Sequence, residues 1–414
     1  MKIVKSVSQK STQNHPRKTV LAIVGDTQVG LWVVRSLARN GLTVHAIVRS
    51  PHGQAAHSRY AASAWLLESN PHSPDFAHEI EQLASKLKVG SIMPVSEGYH
   101  NKLIDLRNRF EPDIHIFSPS RKAFDQATDK DLLQSLCAKL SIPVAKGMRL
   151  DRLMEAKNDS PLSLPLVLRT RRQNIEGGKA QWKAAYAETH DQLNNLYKQV
   201  ETFANNVIVQ EYHPGAEDHV QILMHGGELV MAGDYIGEHH MPLAGGVTVQ
   251  RVSCHHQNLI DDSVNLLKAL GYEGIAGVQF HYDPTTDRYI FLEINPRFSG
   301  GLPTVIMAGF EAPFLLWQSH FEPEKMQKPK YRIGLRSRIL GGDANWLLAM
   351  RRRDPLPPGQ THLGTFKAAA KFAWNCGPWT RDDSFLWHDP KPFFVDFRQM
   401  VKKLGGHKFD IIGN

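Results

Sequence analysis

The sequence predicts an α/β domain followed by an α+β region, and three observations support this prediction. The stretch "TVLAIVGDTQVGLWVVRSLARNGLTVHAIVRS" reads as strand, turn, helix, turn and strand, which is one unit of a doubly wound sheet. The stretch "VGSIMPVSEGYHNKLIDL" repeats this scheme. From Leu162 onward, strand-like runs follow one another through short turns such as His225-Gly226-Gly227, as in antiparallel hairpins.

The first domain is predicted over residues 19–120. Val20 to Val24 is a continuous apolar run, which is typical of a strand covered on both faces. Gly25 and Gly30 frame the turn after it, and the helical spacing of apolar residues begins there. Residues 1–18 are polar and basic and lack the apolar segment of a signal peptide, so we expect a disordered tail.

Composition narrows the class of protein. The chain has 414 residues, 42% apolar and 22% charged, with a net charge of +8, which is typical of a soluble globular protein of two or three domains. No window holds the roughly 18 apolar residues that a membrane span needs. Cys137, Cys254 and Cys376 are widely spaced, with no pair at disulfide or metal spacing. We therefore expect a cytoplasmic protein.

The stretch "YIFLEINPRFSGGLP" carries the strongest chemical signal. An apolar strand ends in Glu293, Asn295 and Arg297, whose side chains point to one face because strand residues alternate. Gln279 precedes Glu293 by 14 residues, across the turn "DPTT", so an antiparallel hairpin brings the two together. Three oxygen-bearing side chains with one carboxylate suit Mg²⁺ bound to a polyphosphate. The structural alternative is a surface hairpin with a salt bridge between Glu293 and Arg297.

These residues resemble the metal-binding strand of ATP-grasp enzymes, whose pattern is Glu-x-Asn-x-Arg. Gln279 stands where carbamoyl-phosphate-synthetase-like members carry Gln. The resemblance covers residues 19 to about 320. It implies a Rossmann-like pre-ATP-grasp domain over 19–120, an ATP-grasp domain over 121–325 and a C-terminal subdomain over 326–414. The implied metal ligands are Gln279, Glu293 and Asn295.

The resemblance also implies a nucleotide site. Lys130, in "DK", corresponds to a phosphate-binding lysine, while Arg169 replaces the family's second lysine. Arg still holds phosphate, but with a planar fork rather than a point charge. The stretch "EGGKAQW" resembles the glycine-rich loop, and "VIVQEYHPGAEDHV" resembles the adenine hinge and ribose site. The remaining implied nucleotide contacts are Gly177, Gly178, Lys179, Gln210, Glu211, Tyr212 and Glu217.

The implied reaction uses ATP with Mg²⁺, or Mn²⁺ in its place, to activate a carboxylate as an acyl phosphate. An amine, most simply that of an amino acid, then displaces phosphate. Arg297, Arg169 and the backbone amides around Gly300 and Gly301 are the expected catalytic groups. His239, His240 and Arg251 are candidates for substrate contact, as are Asp26, Arg49 and Glu97 at strand ends of the first domain.

Three other functions stay open on the sequence. Bicarbonate activation, as in carboxylases and carbamoyl phosphate synthesis, is the nearest alternative. A non-catalytic ATP-grasp-like binding protein is favoured by Arg169 and Lys179, which depart from the family pattern. A Rossmann oxidoreductase is disfavoured because "GDTQVG" is not a Gly-x-Gly-x-x-Gly fingerprint.

The C-terminal segment combines basic and aromatic residues. Arg351 to Arg353 precede Lys367 and Lys371, which lie near Phe366 and Trp374. This pattern suits an anionic membrane surface or a large acceptor, but prolines interrupt any long amphipathic helix. We favour aromatics that pack on the main body. The expected partners are therefore small-molecule carboxylates and amines, with no nucleic acid, and a homodimer stays open.

Overall fold

The computed structural model describes residues 1–6, 15–69, 73–110, 112–156, 161–170, 184–327 and 329–405. Within these residues the chain forms three sheets of six, four and seven strands. The first sheet is mostly parallel and the other two are mostly antiparallel. The predicted combination of an α/β part and an α+β part is therefore confirmed.

The first sheet has the strand order β1-β4-β3-β2-β5-β6. Its central strand is buried along its whole length, as the apolar run predicted. Four helices cover its faces, and the first begins where the Thr27 hydroxyl accepts a hydrogen bond from the Gly30 amide at 3.2 Å. The strands are Lys2–Ser6 (β1), Thr19–Ile23 (β2), Thr43–Val48 (β3), Ser63–Leu66 (β4), Ser91–Pro94 (β5) and His115–Ile116 (β6), and the helices are Gln28–Arg39 (α1), Gln54–His57 (α2), Asp75–Leu87 (α3) and Glu97–Leu106 (α4).

The prediction of a disordered tail over residues 1–18 is wrong for its first part. Lys2–Ser6 pairs antiparallel with β4, with Ile3 opposite Trp65. The Lys5 amino group also donates to the Ala61 carbonyl at 3.2 Å. Strand β4 would otherwise be an open edge with unpaired backbone groups, so pairing stabilises even a polar segment. Residues 7–14 lie outside the described part of the chain.

The second sheet has the order β7-β10-β8-β9 and a compact apolar core of its own. Each of its two central strands begins with three buried apolar residues, 166–168 and 207–209. The strands are Gly147–Arg149 (β7), Leu166–Thr170 (β8), Ala184–Ala187 (β9) and Val207–Glu211 (β10). The preceding helices Arg121–Thr128 (α5) and Lys130–Lys139 (α6) pack on the core of the third sheet, whereas Leu150–Ala156 (α7) and His190–Val200 (α8) pack on this sheet.

The third sheet carries most of the chemistry and has the order β15-β14-β11-β12-β13-β16-β17. Helix α9 covers one face, where Val220, Val278 and Leu266 share a buried cluster. The elements are Ala216–His225 (β11), Glu228–Met241 (β12), Val247–Cys254 (β13), Gln257–Ala269 (α9), Gly274–Asp283 (β14), Arg288–Asn295 (β15), Leu302–Met307 (α10), Ala312–Phe321 (α11), Arg336–Arg338 (β16) and Thr380–Asp382 (β17).

The predicted boundary near residue 325 does not separate two structural units. Strand β16 pairs with β13, so the segment after residue 325 extends the third sheet. The Arg35 guanidinium, buried in the first domain, pairs with the Asp389 carboxylate at 2.9 Å. Burying a charge is costly unless it is paired, so this contact fixes the segment against the first domain. The last helices are Leu340–Arg352 (α12), Thr365–Trp374 (α13) and Lys391–Gly405 (α14).

The expectation that the aromatic residues of the C-terminal segment pack on the main body holds for only some of them. Trp346 is buried, whereas Phe366 and Trp374 on α13 are 86% and 63% exposed. Trp379 and Trp387 are also exposed. None of the helices in the described ranges combines the length and apolar character required to cross a bilayer.

Candidate active site

The predicted metal ligands lie together on one face of the β14–β15 hairpin. Gln279 is directly opposite Glu293, and Gly277 is opposite Asn295. The Asn295 side-chain amide donates to Glu293 Oε1 at 3.3 Å, and Arg297 donates to Asn295 Oδ1 at 3.4 Å. The strand pattern therefore orients an acid, an amide and a guanidinium as a connected row.

Lys130 reaches this row from another element. It is the first residue of α6, whose N-terminus is capped by the Asp129 carboxylate. Lys130 Nζ lies 3.2 Å from Glu293 Oε2 and donates to the Thr170 carbonyl at 3.2 Å. Burial tends to raise the pKa of Glu293, but the charges of Lys130 and Arg169 outweigh it and hold the pKa at about 2. The carboxylate is therefore ionised at neutral pH and ready to bind a cation.

Positive charge exceeds negative charge around the hairpin. Arg169 lies at the end of β8, close enough to lower the pKa of Glu293 and of His281. Together with Lys130 and Arg297 it gives three cationic side chains beside two carboxylates, those of Glu293 and Glu97. Such a surplus favours a polyanion such as a triphosphate. Gly177, Gly178 and Lys179 lie outside the described residues, so their role stays a prediction.

A small cleft lies between β10 and β15. Val144, Ile208 and Leu292 give it apolar walls, while Lys130 and Gln210 line it with polar groups. Its volume is about 10 Å³, which is room for roughly one water molecule in this conformation. Gln210 and Lys130 both line the cleft, and their roles as adenine and phosphate contacts stay predictions.

The backbone of the predicted adenine hinge needs a correction. The Glu211 amide donates to the Lys146 carbonyl at 2.9 Å, and the Tyr212 amide donates to the Pro165 carbonyl at 2.8 Å. The Glu211 carboxylate accepts from the Ser163 amide at 3.0 Å. Neither amide is therefore open as a donor to a base in this conformation. Any backbone contact from these two residues would have to use a carbonyl oxygen.

Glu217, the predicted ribose contact, lies between two histidines. Its Oε2 is 3.3 Å from Nε2 of His219 and 3.3 Å from Nε2 of His240. Burial tends to raise the pKa of Glu217, but His240 and His219 hold it well below its usual range. The carboxylate is thus an ionised acceptor held in place. His239 points elsewhere: it bonds Asp343 at 2.6 Å and is buried.

The predicted catalytic role of the Gly301 amide needs a correction. This amide donates to the Tyr235 hydroxyl at 3.0 Å, and the Ser299 amide donates to Gln221 Oε1 at 2.7 Å. The Gly300 carbonyl accepts from Arg251 at 3.0 Å. The amides of Ser299 and Gly301 are therefore both occupied by protein groups, and these hydrogen bonds fix the conformation of the turn. Of the two glycines, Gly300 alone keeps a predicted contact with substrate.

Arg251, a candidate for substrate contact, serves this turn instead. Its guanidinium is fully buried and pairs with Asp383 at 2.5 Å. A buried charge removed from its partner would be strongly destabilising, so Arg251 is not available to a substrate. It holds the Gly300 carbonyl in position and links the turn to the C-terminal segment.

Glu97 adds a carboxylate from the first domain to the site around Glu293 and Arg297. It lies in the first turn of α4, after β5. Burial and the charge of Glu293 raise its pKa, while Arg297 and Lys130 lower it, so all three charged groups lie nearby. The signal in the sequence is its position beyond the carboxyl end of a parallel strand, where open α/β sheets bind ligands.

Part of the chain is similar to a known protein family and to curated proteins. Residues 203–340 match the family described as "ATP-grasp in the biosynthetic pathway with Ter operon". A carbamoyl phosphate synthase large chain from Clostridium acetobutylicum is 23% identical over 201 residues, which make up 47% of this chain and 18% of that protein. Two further large chains of this kind are matched over 27% and 19% of their length, so the chain spans only a fraction of these relatives.

Solved structures show the same fold. Biotin carboxylase from Campylobacter jejuni, in complex with β,γ-ATP, superposes with a TM-score of 0.61 at 16% identity, covering 77% of this chain and 74% of that one. An ADP complex of N5-carboxyaminoimidazole ribonucleotide synthetase gives a TM-score of 0.60 at 15% identity, covering 87% and 98%. A biotin carboxylase domain from Hydrogenobacter thermophilus, with MgADP and bicarbonate, gives 0.59 at 17%, covering 77% and 73%. The predicted resemblance to the ATP-grasp superfamily is confirmed.

Proposed function

Because the chain has the ATP-grasp fold, we propose that it is an ATP-dependent ligase that activates a carboxylate as an acyl phosphate and couples it to an amine. The observation that carries this proposal is the row on the β14–β15 hairpin. There one ionised carboxylate and two amide side chains lie beside Lys130 and Arg297. ATP is the phosphoryl donor in this proposal, and ADP and phosphate are released.

The donor set fits Mg²⁺. Gln279, Glu293 and Asn295 offer three oxygen atoms and a single negative charge, and Mg²⁺ is commonly held by one or two carboxylates together with substrate phosphates. The ion would supply neutralisation of the phosphate charge. Lys130 is paired with Glu293. With Mg²⁺ bound to that carboxylate, the Lys130 amino group would be free to bind a phosphate oxygen.

In this proposal the cationic side chains stabilise the negative charge of the phosphoryl group during its transfer. Arg297 is tied to Asn295, so its guanidinium has a fixed position next to the metal ligands. Arg169 adds a planar set of donors from the neighbouring sheet. Donors that are already oriented stabilise charge that develops in the transition state without reorganisation. Within this proposal the carboxylate substrate attacks the terminal phosphorus and the bond to the ADP oxygen breaks.

Glu97 supports an amine as the second substrate. Its carboxylate comes from the first domain, and the charges of Arg297 and Lys130 lower its pKa against the effect of burial. An ammonium group of an amino acid is attracted to such a carboxylate. Its raised pKa also suits the acceptance of a proton from the ammonium as the amine attacks the acyl phosphate.

Bicarbonate activation is the second candidate. The relatives include carbamoyl phosphate synthase large chains and a biotin carboxylase, and two structural neighbours were solved with bicarbonate. The same hairpin would serve either reaction, since both begin with phosphoryl transfer from ATP to a carboxylate oxygen. The difference lies in the acceptor, which the first domain would select.

The test is phosphate release from MgATP with a panel of amino acids and other carboxylates, with and without a second amine, and with bicarbonate. Hydroxylamine should trap the acyl phosphate as a hydroxamate. A heavy-oxygen label in the active carboxylate should pass to the released phosphate. Label that stays wholly in the organic product would exclude acyl phosphate formation. Turnover with bicarbonate alone would favour the second candidate.

A further inference from the structure

A second group of ligand-type side chains lies on the opposite face of the third sheet. Asp218 follows Glu217 on β11, and Asp234 precedes Tyr235 on β12, so both face away from the candidate active site. Cys254 ends β13, and His256 precedes the first residue of α9. In the described ranges this is the one group of at least three His, Cys, Asp or Glu side chains whose ligand atoms lie within 4.8 Å of one another.

The distances within this cluster are close to those of a four-coordinate ion. Cys254 Sγ lies 3.6 Å from Asp218 Oδ2 and 3.5 Å from Asp234 Oδ2. His256 Nδ1 lies 3.7 Å from Asp234 Oδ2. Tetrahedral zinc with its usual bond lengths separates ligand atoms by roughly 3.3–3.8 Å. The exception is the 2.6 Å hydrogen bond between His256 and Asp218, which a bound ion would replace.

The cluster also holds more negative charge than the protein neutralises. Asp218 and Asp234 are both 0% exposed, and each keeps one carboxylate oxygen, Oδ1, without a hydrogen-bond partner. Within the described part of the chain, the His256 imidazole lies within 4 Å of both carboxylates, while His255 Nδ1 lies 3.9 Å from Asp234 Oδ1. Two buried carboxylates beside a single imidazole are costly unless another cation joins them.

We propose that Asp218, Asp234, Cys254 and His256 form a structural zinc site. One thiolate, one imidazole and two carboxylate oxygens are the ligand types that Zn²⁺ accepts, and four protein ligands leave no open position for catalysis. Binding replaces the Cys254 S–H bond with an S–Zn bond and takes the Nδ1 proton from His256, so two protons pass to solvent. Burial and the two aspartates raise the pKa of the Cys254 thiol and so favour its protonated form. Bound zinc would favour the thiolate instead.

The site would join three strands and a helix. It ties β11, β12 and β13 to the start of α9, where the His256 amide already donates to Asp234 at 2.6 Å. The same strands carry Glu217 and Tyr235 on their other face. Zinc would therefore stiffen the sheet that supports the candidate nucleotide site, without contacting substrate. His256 is 22% exposed, which leaves a route for the ion.

The experiment measures zinc in the full chain. Protein stripped with a chelator and titrated with Zn²⁺ against a competing chelator should bind one equivalent, and elemental analysis of the dialysed protein should confirm the ratio. Co²⁺ in place of zinc should give a thiolate charge-transfer band. Cys254→Ser should remove that band and weaken zinc binding by more than about 100-fold, since even residues behind the ligands contribute 10–100-fold.

Two matched variants give the controls. Cys376→Ser removes an exposed thiol elsewhere in the chain, and Glu293→Ala removes the candidate magnesium ligand. Both should keep one equivalent of zinc and the cobalt band. A second readout is the melting temperature, which zinc should raise in the unmodified chain but not in Cys254→Ser. Absence of stoichiometric binding, or equal zinc affinity in Cys254→Ser, would overturn the site and leave the proposed ligase function untouched.

Discussion

Lys130 Nζ lies 3.2 Å from Glu293 Oε2, although 163 residues separate the two in the sequence (293 − 130 = 163). Lys130 begins helix α6, which packs on the third sheet, and Glu293 lies on strand β15 of that sheet. Because Lys130 also donates to the Thr170 carbonyl of β8, its amino group contacts both sheets between which the nucleotide is proposed to bind. It also keeps the metal ligand ionised.

Replacing Glu293 with Ala should reduce ATP turnover by about a thousandfold or more, because the one carboxylate of the metal set is lost. The measurement is ADP formation at saturating Mg²⁺, with circular dichroism to show that the fold is kept. Arg288→Ala, at the exposed start of the same strand, is the matched control and should keep its activity. Turnover above roughly a tenth of the original in Glu293→Ala would place the metal elsewhere.

Replacing Glu97 with Gln should raise the KM for the amine by about 10–100-fold, because a hydrogen bond to a charged group is lost. The KM for ATP should stay unchanged, because Glu97 belongs to the first domain, whereas Arg169, Gln210 and Glu217 lie on strands of the two other sheets. Initial rates with each substrate varied in turn give the two constants. Glu68→Gln, an exposed acid of the same domain, is the control. An equal change in both KM values would argue against an amine site at Glu97.

Gly301→Ala should destabilise the protein, whereas Gly300→Ala should not. A Cβ at residue 301 would lie 2.1 Å from the Tyr235 ring, while a Cβ at residue 300 meets nothing within 4 Å. Overpacking of this kind costs about 1–3 kcal/mol, and the exposed change should stay within about 0.5 kcal/mol. Urea unfolding of the two variants provides the comparison. Equal stability of both would show that the Tyr235 contact is not fixed.

Stability should fall as the pH drops from 6.5 toward 4, partly because of His45. Burial lowers the pKa of His45 from 6.5 to about 4, so below pH 6.5 the unfolded chain binds a proton that the folded chain does not. The unfolded state is therefore favoured progressively, by at most about 1.4 kcal/mol per pH unit for one group. His45→Gln should flatten this slope in unfolding curves measured across the range. His52→Gln, an exposed histidine, should leave it unchanged, and parallel curves for all three proteins would contradict the assignment.

The site on the β14–β15 hairpin was predictable because its signals are local. Alternation along β15 places Glu293 and Asn295 on one face, and the intervening turn fixes Gln279 opposite Glu293. Arg297 lies beyond the end of the strand, and its guanidinium donates to Asn295 Oδ1. These relationships depend on backbone geometry within about twenty residues. The helix start at Asp129 was equally visible, since a capping acid acts on the next turn of the same helix.

Residues that depend on distant partners were not predictable in this way. The Gly301 amide looked open until Tyr235, from another strand, was seen to accept its hydrogen bond. The cysteines gave no metal spacing, because the aspartates beside Cys254 come from two other strands. The N-terminal strand β1 has a polar sequence and forms because an edge of the first sheet is available to it.

The sequence by itself determined the strand–helix–strand units of the first domain, the β14–β15 hairpin, the ATP-grasp resemblance and the row of metal-type ligands, since each rests on periodicity and turns within short segments. Only the tertiary structure decided which charges meet. In the folded chain Lys130 pairs with Glu293, and Arg251 pairs with Asp383. Asp218, Asp234, Cys254 and His256 come together on the face of the third sheet opposite the candidate active site. The physical reason is that these contacts arise from the packing of whole elements, whose relative placement depends on burial across the entire chain rather than on any local pattern.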